Sequence, residues 1–125
     1  MYNIKQNSFS SRYKGEKSEL RAIYYLATSG YRIMCSGYSV AHSGEIDILA
    51  YDNGCLVAVE VKSCLTKSAK YIDLSKWVDL RKRNKIKRVV LYFLSKNVIP
   101  FCAVRLDVIY ITKNQITHYR GVPLY

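Results

Sequence analysis

The sequence predicts an α/β domain whose elements run helix, three strands, helix, strand and a terminal hairpin. Three observations support that class. Apolar residues recur at helical spacing between 16 and 29, two strand-like apolar runs meet at Asn53-Gly54, and residues 89–94 form a continuous apolar run that begins with two valines. A chain of 125 residues with 50% hydrophobic content is enough for one core and short for two.

Residues 1–14, MYNIKQNSFSSRYK, read as a flexible basic arm with few apolar anchors, and residues 15–125 as a single domain. In the helix expected over 16–29, Leu20, Ile23, Tyr24 and Ala27 stand at i, i+3, i+4 and i+7, and Gly30 is placed to stop it. Glu19 precedes Ile23 by four residues and Leu26 by seven, which leans its carboxylate towards the buried side. A glutamate at the edge of the apolar face, snorkelling to water, is the alternative. Tyr31 to about Ser39 then suits a strand, with Ala41-His42-Ser43-Gly44 as its connection to the next.

The stretch GEIDILAYDNGCLVAVEVK is the chemical centre of the sequence. Asn-Gly readily takes positive φ at both central positions of a two-residue type I′ turn, and that turn sets a register. Asp52 then faces Cys55, Ala50 faces Val57, Ile48 faces Val59, Asp47 faces Glu60 and Glu45 faces Lys62. Ile46, Ile48, Ala50, Val57, Val59 and Val61 fall on one face and the charges on the other, whereas a slip of one residue would bury carboxylates. Facing Cβ atoms lie roughly 4.5–5.5 Å apart, so Asp47 and Glu60 are close enough to share a ligand. Their repulsion is relieved by a proton or by a hard divalent cation, and Mg²⁺ characteristically takes one or two carboxylates plus phosphate and water. Lys62 lies beside them. The alternative is a solvated strand face bearing an exposed Glu45–Lys62 ion pair of small energetic worth.

After Lys62 a polar linker leads to a helix expected from about Asp73 to Lys85, capped near Asp73 or Ser75, with Leu74, Trp77 and Val78 inward. VVLYFL at 89–94 reads as a strand buried on both faces. Residues 104–111 and 115–119 read as a hairpin around Lys113-Asn114. Lysine and arginine outnumber aspartate and glutamate by 20 to 9, a net charge of +11 that favours a polyanionic partner. Lys76, Arg81, Lys82, Arg83, Lys85, Lys87 and Arg88 crowd one segment, the candidate nucleic-acid-binding surface, for which a solvated helix face is the alternative.

Cys35, Cys55, Cys64 and Cys102 form no CxxC, and His42 and His118 stand alone, so no zinc or redox motif is written in the chain. Walker-type phosphate loops and nucleophile elbows are absent too. No run approaches a membrane span and the first residues lack a signal-peptide core, so a cytoplasmic location is expected.

The element order, with the spacing of Glu19, Asp47, Glu60 and Lys62, resembles the PD-(D/E)xK nuclease superfamily, the restriction-endonuclease-like fold. GEKSELRAIYYLATSGYRIM at 15–34, GEIDILA at 44–50 and VEVK at 59–62 resemble the YraN family of predicted endonucleases, relatives of Holliday junction resolvases. Lys82 with Ile86, LYFL, RLDVIYI at 105–111 and His118 extend the similarity. Ser18 stands where the family has glycine, and Ser63-Cys64 replace its usual Thr/Ser-Arg. The resemblance implies an α-β-β-β-α-β core with a mixed sheet flanked by helices, plus the C-terminal hairpin. It implies a catalytic set of Glu19, Asp47, Glu60 and Lys62, with Mg²⁺ or Mn²⁺ held by Asp47, Glu60 and the Val61 carbonyl. The expected activity is metal-dependent hydrolysis of structured or branched DNA, with a homodimer as the expected assembly by analogy with the resolvases. A nucleic-acid-binding domain that keeps the nuclease fold without catalysis is the alternative.

Overall fold

The computed structural model describes residues 13–64, 78–101 and 103–124. Its elements are α1 (Tyr13–Thr28), β1 (Arg32–Val40), β2 (Gly44–Asp52), β3 (Cys55–Cys64), α2 (Leu80–Lys96), β4 (Ala103–Thr112) and β5 (Ile116–Val122). The strands form one five-stranded sheet in sequence order. Every neighbouring pair is antiparallel except β3 and β4, which run parallel with Glu60 beside Val108. The described residues therefore make an α/β fold with a mixed sheet and two helices. The arm expected over 1–14 lies outside the described residues except for its last two positions, which already belong to α1. No helix among the described residues is long and apolar enough to cross a membrane.

Asn53 and Gly54 have φ of 47° and 84°, as a type I′ turn requires, and the register follows as expected from Asp52↔Cys55 to Ile48↔Val59. There the backbone pairing stops. Ile46 and Ile48, which strict alternation would keep on one face, are buried in different layers, Ile46 with Leu49 and Leu56 and Ile48 with Val57 and Val59. The expected single apolar face is thus interrupted at Asp47, where β2 rotates.

Helix α1 covers one face of the sheet and α2 the other. Ala22 and Leu26 of α1 pack on Ile48, Val57, Val59, Ile109 and Ile111, flanked by Ile23 and Tyr25. The stripe expected from Leu20, Tyr24 and Ala27 is the exposed side of the helix. Ala22 is fully buried against the sheet, a placement that its small side chain did not signal in the sequence.

Helix α2 begins at Leu80, capped by Asp79, whose Oδ1 accepts from the Lys82 N–H at 2.9 Å. The expected helix start, cap candidates, Leu74, Trp77 and Lys76 fall outside the described residues; Val78 is buried. Residues 89–94 are helical, not a strand, a correction with a clear physical cause. Ile86, Val89, Val90 and Phe93, at i, i+3, i+4 and i+7, are buried while Leu91 and Tyr92 are exposed, so the apolar run is one face of a helix with two apolar residues left outside. Phe93 meets Tyr38 of β1 edge to face, ring centres 5.2 Å apart. The fourth strand of the core is instead β4, which also opens the terminal hairpin with β5.

Candidate functional site

Beyond the last β2–β3 pair the strands part, and the Val61 N–H would lose its acceptor. Asp47 supplies one: its Oδ2 accepts from Val61 N at 2.8 Å. That bond turns Asp47 across the gap towards β3 and fixes it at the mouth of a cleft of about 260 Å³. The cleft is lined by Asp47, Glu60, Val61, Lys62, Val78, Lys82 and Val108.

Glu60 follows Leu56 and Ala58 on the face that α2 covers and is itself buried. Its Oε2 lies 3.0 Å from the Lys82 ammonium, while Oε1 is buried without a hydrogen-bond partner. Burial first, and then the Asp47 carboxylate, push the Glu60 pKa up to about 7, against the pull of Lys82. Burial works against the charge on Lys82, but Glu60, Asp47 and Asp79 outweigh it and hold its pKa above the ordinary lysine value.

Two carboxylates from adjacent strands, one with an orphaned buried oxygen, beside two lysines, make a donor set that fits a hard divalent cation completed by water and phosphate. No group of three or more His, Cys, Asp or Glu side chains suited to a metal occurs among the described residues. Glu19 is half-buried on α1 and is not part of the cleft lining. Of the sequence candidates, Asp47, Glu60, Val61 and Lys62 therefore share one cleft.

The basic segment divides into three. Arg81, Lys85 and Arg88 are exposed at i, i+4 and i+7, a single stripe along α2. Lys82 is exposed too, but it stands one turn before buried Ile86 on the sheet-facing side and its ammonium reaches Glu60. Arg83 and Lys87 are half-buried, the Arg83 Nε enclosed without a partner. The Lys85 stem lies over Gly44, where φ is +126° and an added Cβ would meet Lys85 Cβ at 3.6 Å.

Sequence reasoning gave no role to a second charged cluster near β4 and β5. Asp107, fully buried, accepts from Tyr31 Oη at 2.8 Å, Arg105 Nε at 2.9 Å and Gly121 N at 3.0 Å, and pairs with His118 Nε2 at 2.8 Å. Arg105 and Arg120 both reach Asp52 Oδ2 at 2.9 Å, and Tyr25 of α1 meets His118 Nδ1 at 3.0 Å. Burial alone would raise the Asp107 pKa, but hydrogen bonds from His118, Arg105, Gly121 and Tyr31 hold it at about 2. The cluster ties α1, β4 and β5 together on the side of the sheet away from Glu60. The two-residue spacings Arg105/Asp107 and His118/Arg120 were its only sequence signal.

The model of Uncharacterised protein family UPF0102 matches residues 18–111. A UPF0102 protein of Persephonella marina is 39% identical over 108 residues, covering 86% of this chain and 90% of the relative. One from Thermodesulfovibrio yellowstonii is 39% identical over 106 residues, 83% and 89% of the two chains. One from Clostridioides difficile is 33% identical over 111 residues, 87% and 95% of the two.

Proposed function

The chain belongs to family UPF0102, the YraN family, and from its cleft we propose a metal-dependent endodeoxyribonuclease acting on structured or branched DNA. The observation that most supports this is the pairing of Asp47 with a buried Glu60 whose Oε1 lacks a partner, two residues from Lys62 in one cleft. The helix, the antiparallel hairpin and the parallel β3–β4 pair are the arrangement expected of a restriction-endonuclease-like core.

Asp47 and Glu60, with the Val61 carbonyl, would hold Mg²⁺ or Mn²⁺. Such an ion supplies positive charge that polarises a scissile phosphate and acidifies a water nucleophile. Asp47 is held in place by the Val61 N–H, so its carboxylate is oriented before any ligand arrives. Lys62 places a point charge where negative charge develops on the phosphate, or orients the attacking water. Glu19 does not line the cleft and is given no part in holding the ion. Arg81, Lys85 and Arg88 hold the DNA backbone through charge and carry no base-reading role.

The test is incubation with four-way junction, flap, single-stranded and linear duplex DNA in Mg²⁺ or Mn²⁺. Cleavage of a branched substrate, reduced at least about a hundredfold in Asp47→Ala, which is ~2.7 kcal/mol on the barrier, is the expected outcome. DNA binding by the variant, measured in EDTA, should stay unchanged. The Lys82–Glu60 ion pair, which already neutralises the buried carboxylate, favours the second reading, a DNA-binding domain without catalysis. Intact binding with no cleavage of any substrate in either metal would select it.

A further inference from the structure

Lys82 stands apart from the other basic residues of α2. Its backbone N–H is held by the Asp79 cap, and its position puts it on the sheet-facing side with Ile86 and Phe93. Its ammonium lies 3.0 Å from Glu60 Oε2, yet its side chain remains 45% exposed against 11% for that of Glu60. The carboxylate is fixed and enclosed, while the ammonium sits on a flexible stem at the cleft mouth. The ion pair satisfies one oxygen of Glu60 and leaves Oε1 open.

We propose that Lys82 is an exchangeable resident cation: it neutralises Glu60 in the metal-free protein, and a divalent ion displaces it towards the substrate phosphate. The inference rests on the metal reading of the cleft. A divalent cation on Glu60 would stand within a few ångströms of the ammonium, and two positive charges repel strongly in a partly enclosed cleft. The flexible partner must give way. Swung outward, Lys82 remains beside Lys62 in the same cleft and adds a phosphate interaction that the metal-free protein lacks. Metal and DNA then favour each other's binding, and by linkage the coupling acts equally in both directions.

Titration calorimetry with Mn²⁺ alone tests the competition, comparing the wild type with Lys82→Met, Lys82→Gln and the charge-retaining Lys82→Arg. The two neutral variants should bind Mn²⁺ about tenfold tighter than the wild type, and Lys82→Arg about equally. Fluorescence anisotropy with a labelled four-way junction, in EDTA or in Ca²⁺, tests the second half. Ca²⁺ should steepen the salt dependence of wild-type binding by about one neutralised phosphate, a slope change of about 0.9, and should leave that of Lys82→Met unchanged. Equal or weaker Mn²⁺ binding by both neutral variants, with the wild type binding normally, overturns the exchange and leaves the metal site standing. An absence of Mn²⁺ binding in the wild type and all variants overturns the metal site itself.

Discussion

At the residue scale, two buried carboxylates make opposite demands on pH. Burial and Asp47 raise Glu60 from an ordinary 4.5 to about 7, so the folded protein holds a proton there that the unfolded chain has released. Its contribution is present below about 4.5 and is lost as pH rises towards 7, at up to about 1.4 kcal/mol per pH unit. Chemical denaturation in EDTA should show that loss and Glu60→Gln should remove it; an unchanged slope in the variant would reject the assignment. Asp107 behaves the other way, because its pKa is lowered from 3.8 to about 2 and its contribution is lost as pH falls through that range. Asp107→Ala strips Arg105, His118 and Tyr31 of their shared acceptor and should cost about 3–5 kcal/mol in denaturant melts. Ser18 offers a gain. Its hydroxyl is buried without a partner where the resembled family has glycine, so Ser18→Ala should stabilise the protein by roughly 1 kcal/mol, read as a rise in Tm. Although the expected facing of Asp47 with Glu60 and of Glu45 with Lys62 is not part of the pairing, that Asp47, Glu60 and Lys62 lie near one another was legible in the sequence because turn chemistry fixed the hairpin register as far as Ile48 and Val59. Lys82 was not, since its difference from Arg81 and Arg83 depends on where α2 begins and which way it faces.

At the scale of elements, the β2–β3 hairpin was legible because a single dipeptide and period-two alternation agree on one register. That agreement ended where the strands part, since Asp47 replaces a backbone acceptor with its side chain and no local pattern announces such a substitution. Residues 89–94 misled for another reason: two adjacent valines followed by Leu-Tyr-Phe-Leu match a buried strand, and the helical period emerges only when Ile86 is counted with them. The two assignments differ measurably. Phe93→Ala should cost about 3–5 kcal/mol, whereas Leu91→Ala on the exposed side should change stability by no more than about 0.5 kcal/mol. Comparable losses at both positions in urea melts would restore the strand.

At the scale of the whole molecule, the sheet separates two charged systems. The α2 side holds the open cleft, and the α1 side holds a closed network in which Asp107 is satisfied on every side. The exposed Arg81, Lys85 and Arg88 stripe flanks the Lys82 side of α2. Replacing these three by alanine should weaken binding to all duplex sequences alike and reduce the slope of log affinity against log salt by about 0.9 for each phosphate no longer neutralised. Overall charge predicted the stripe; the closed network stayed hidden because its members, Tyr31, Asp52, Arg105 and His118, come together only through tertiary pairing. That pairing bears on synthesis as well. The β2–β3 hairpin is local and can form early, but the other edge of β3 waits for β4, which follows some forty residues later and must pair in parallel, a slow kind of closure. Until then an otherwise apolar strand presents a bare edge, interrupted by Glu60 and Lys62, charges that discourage pairing with another nascent chain. Glu60→Gln, which removes only the charge, should therefore aggregate more than the wild type on rapid dilution from urea, as light scattering would register, so that the carboxylate of the finished cleft also guards the unfinished fold.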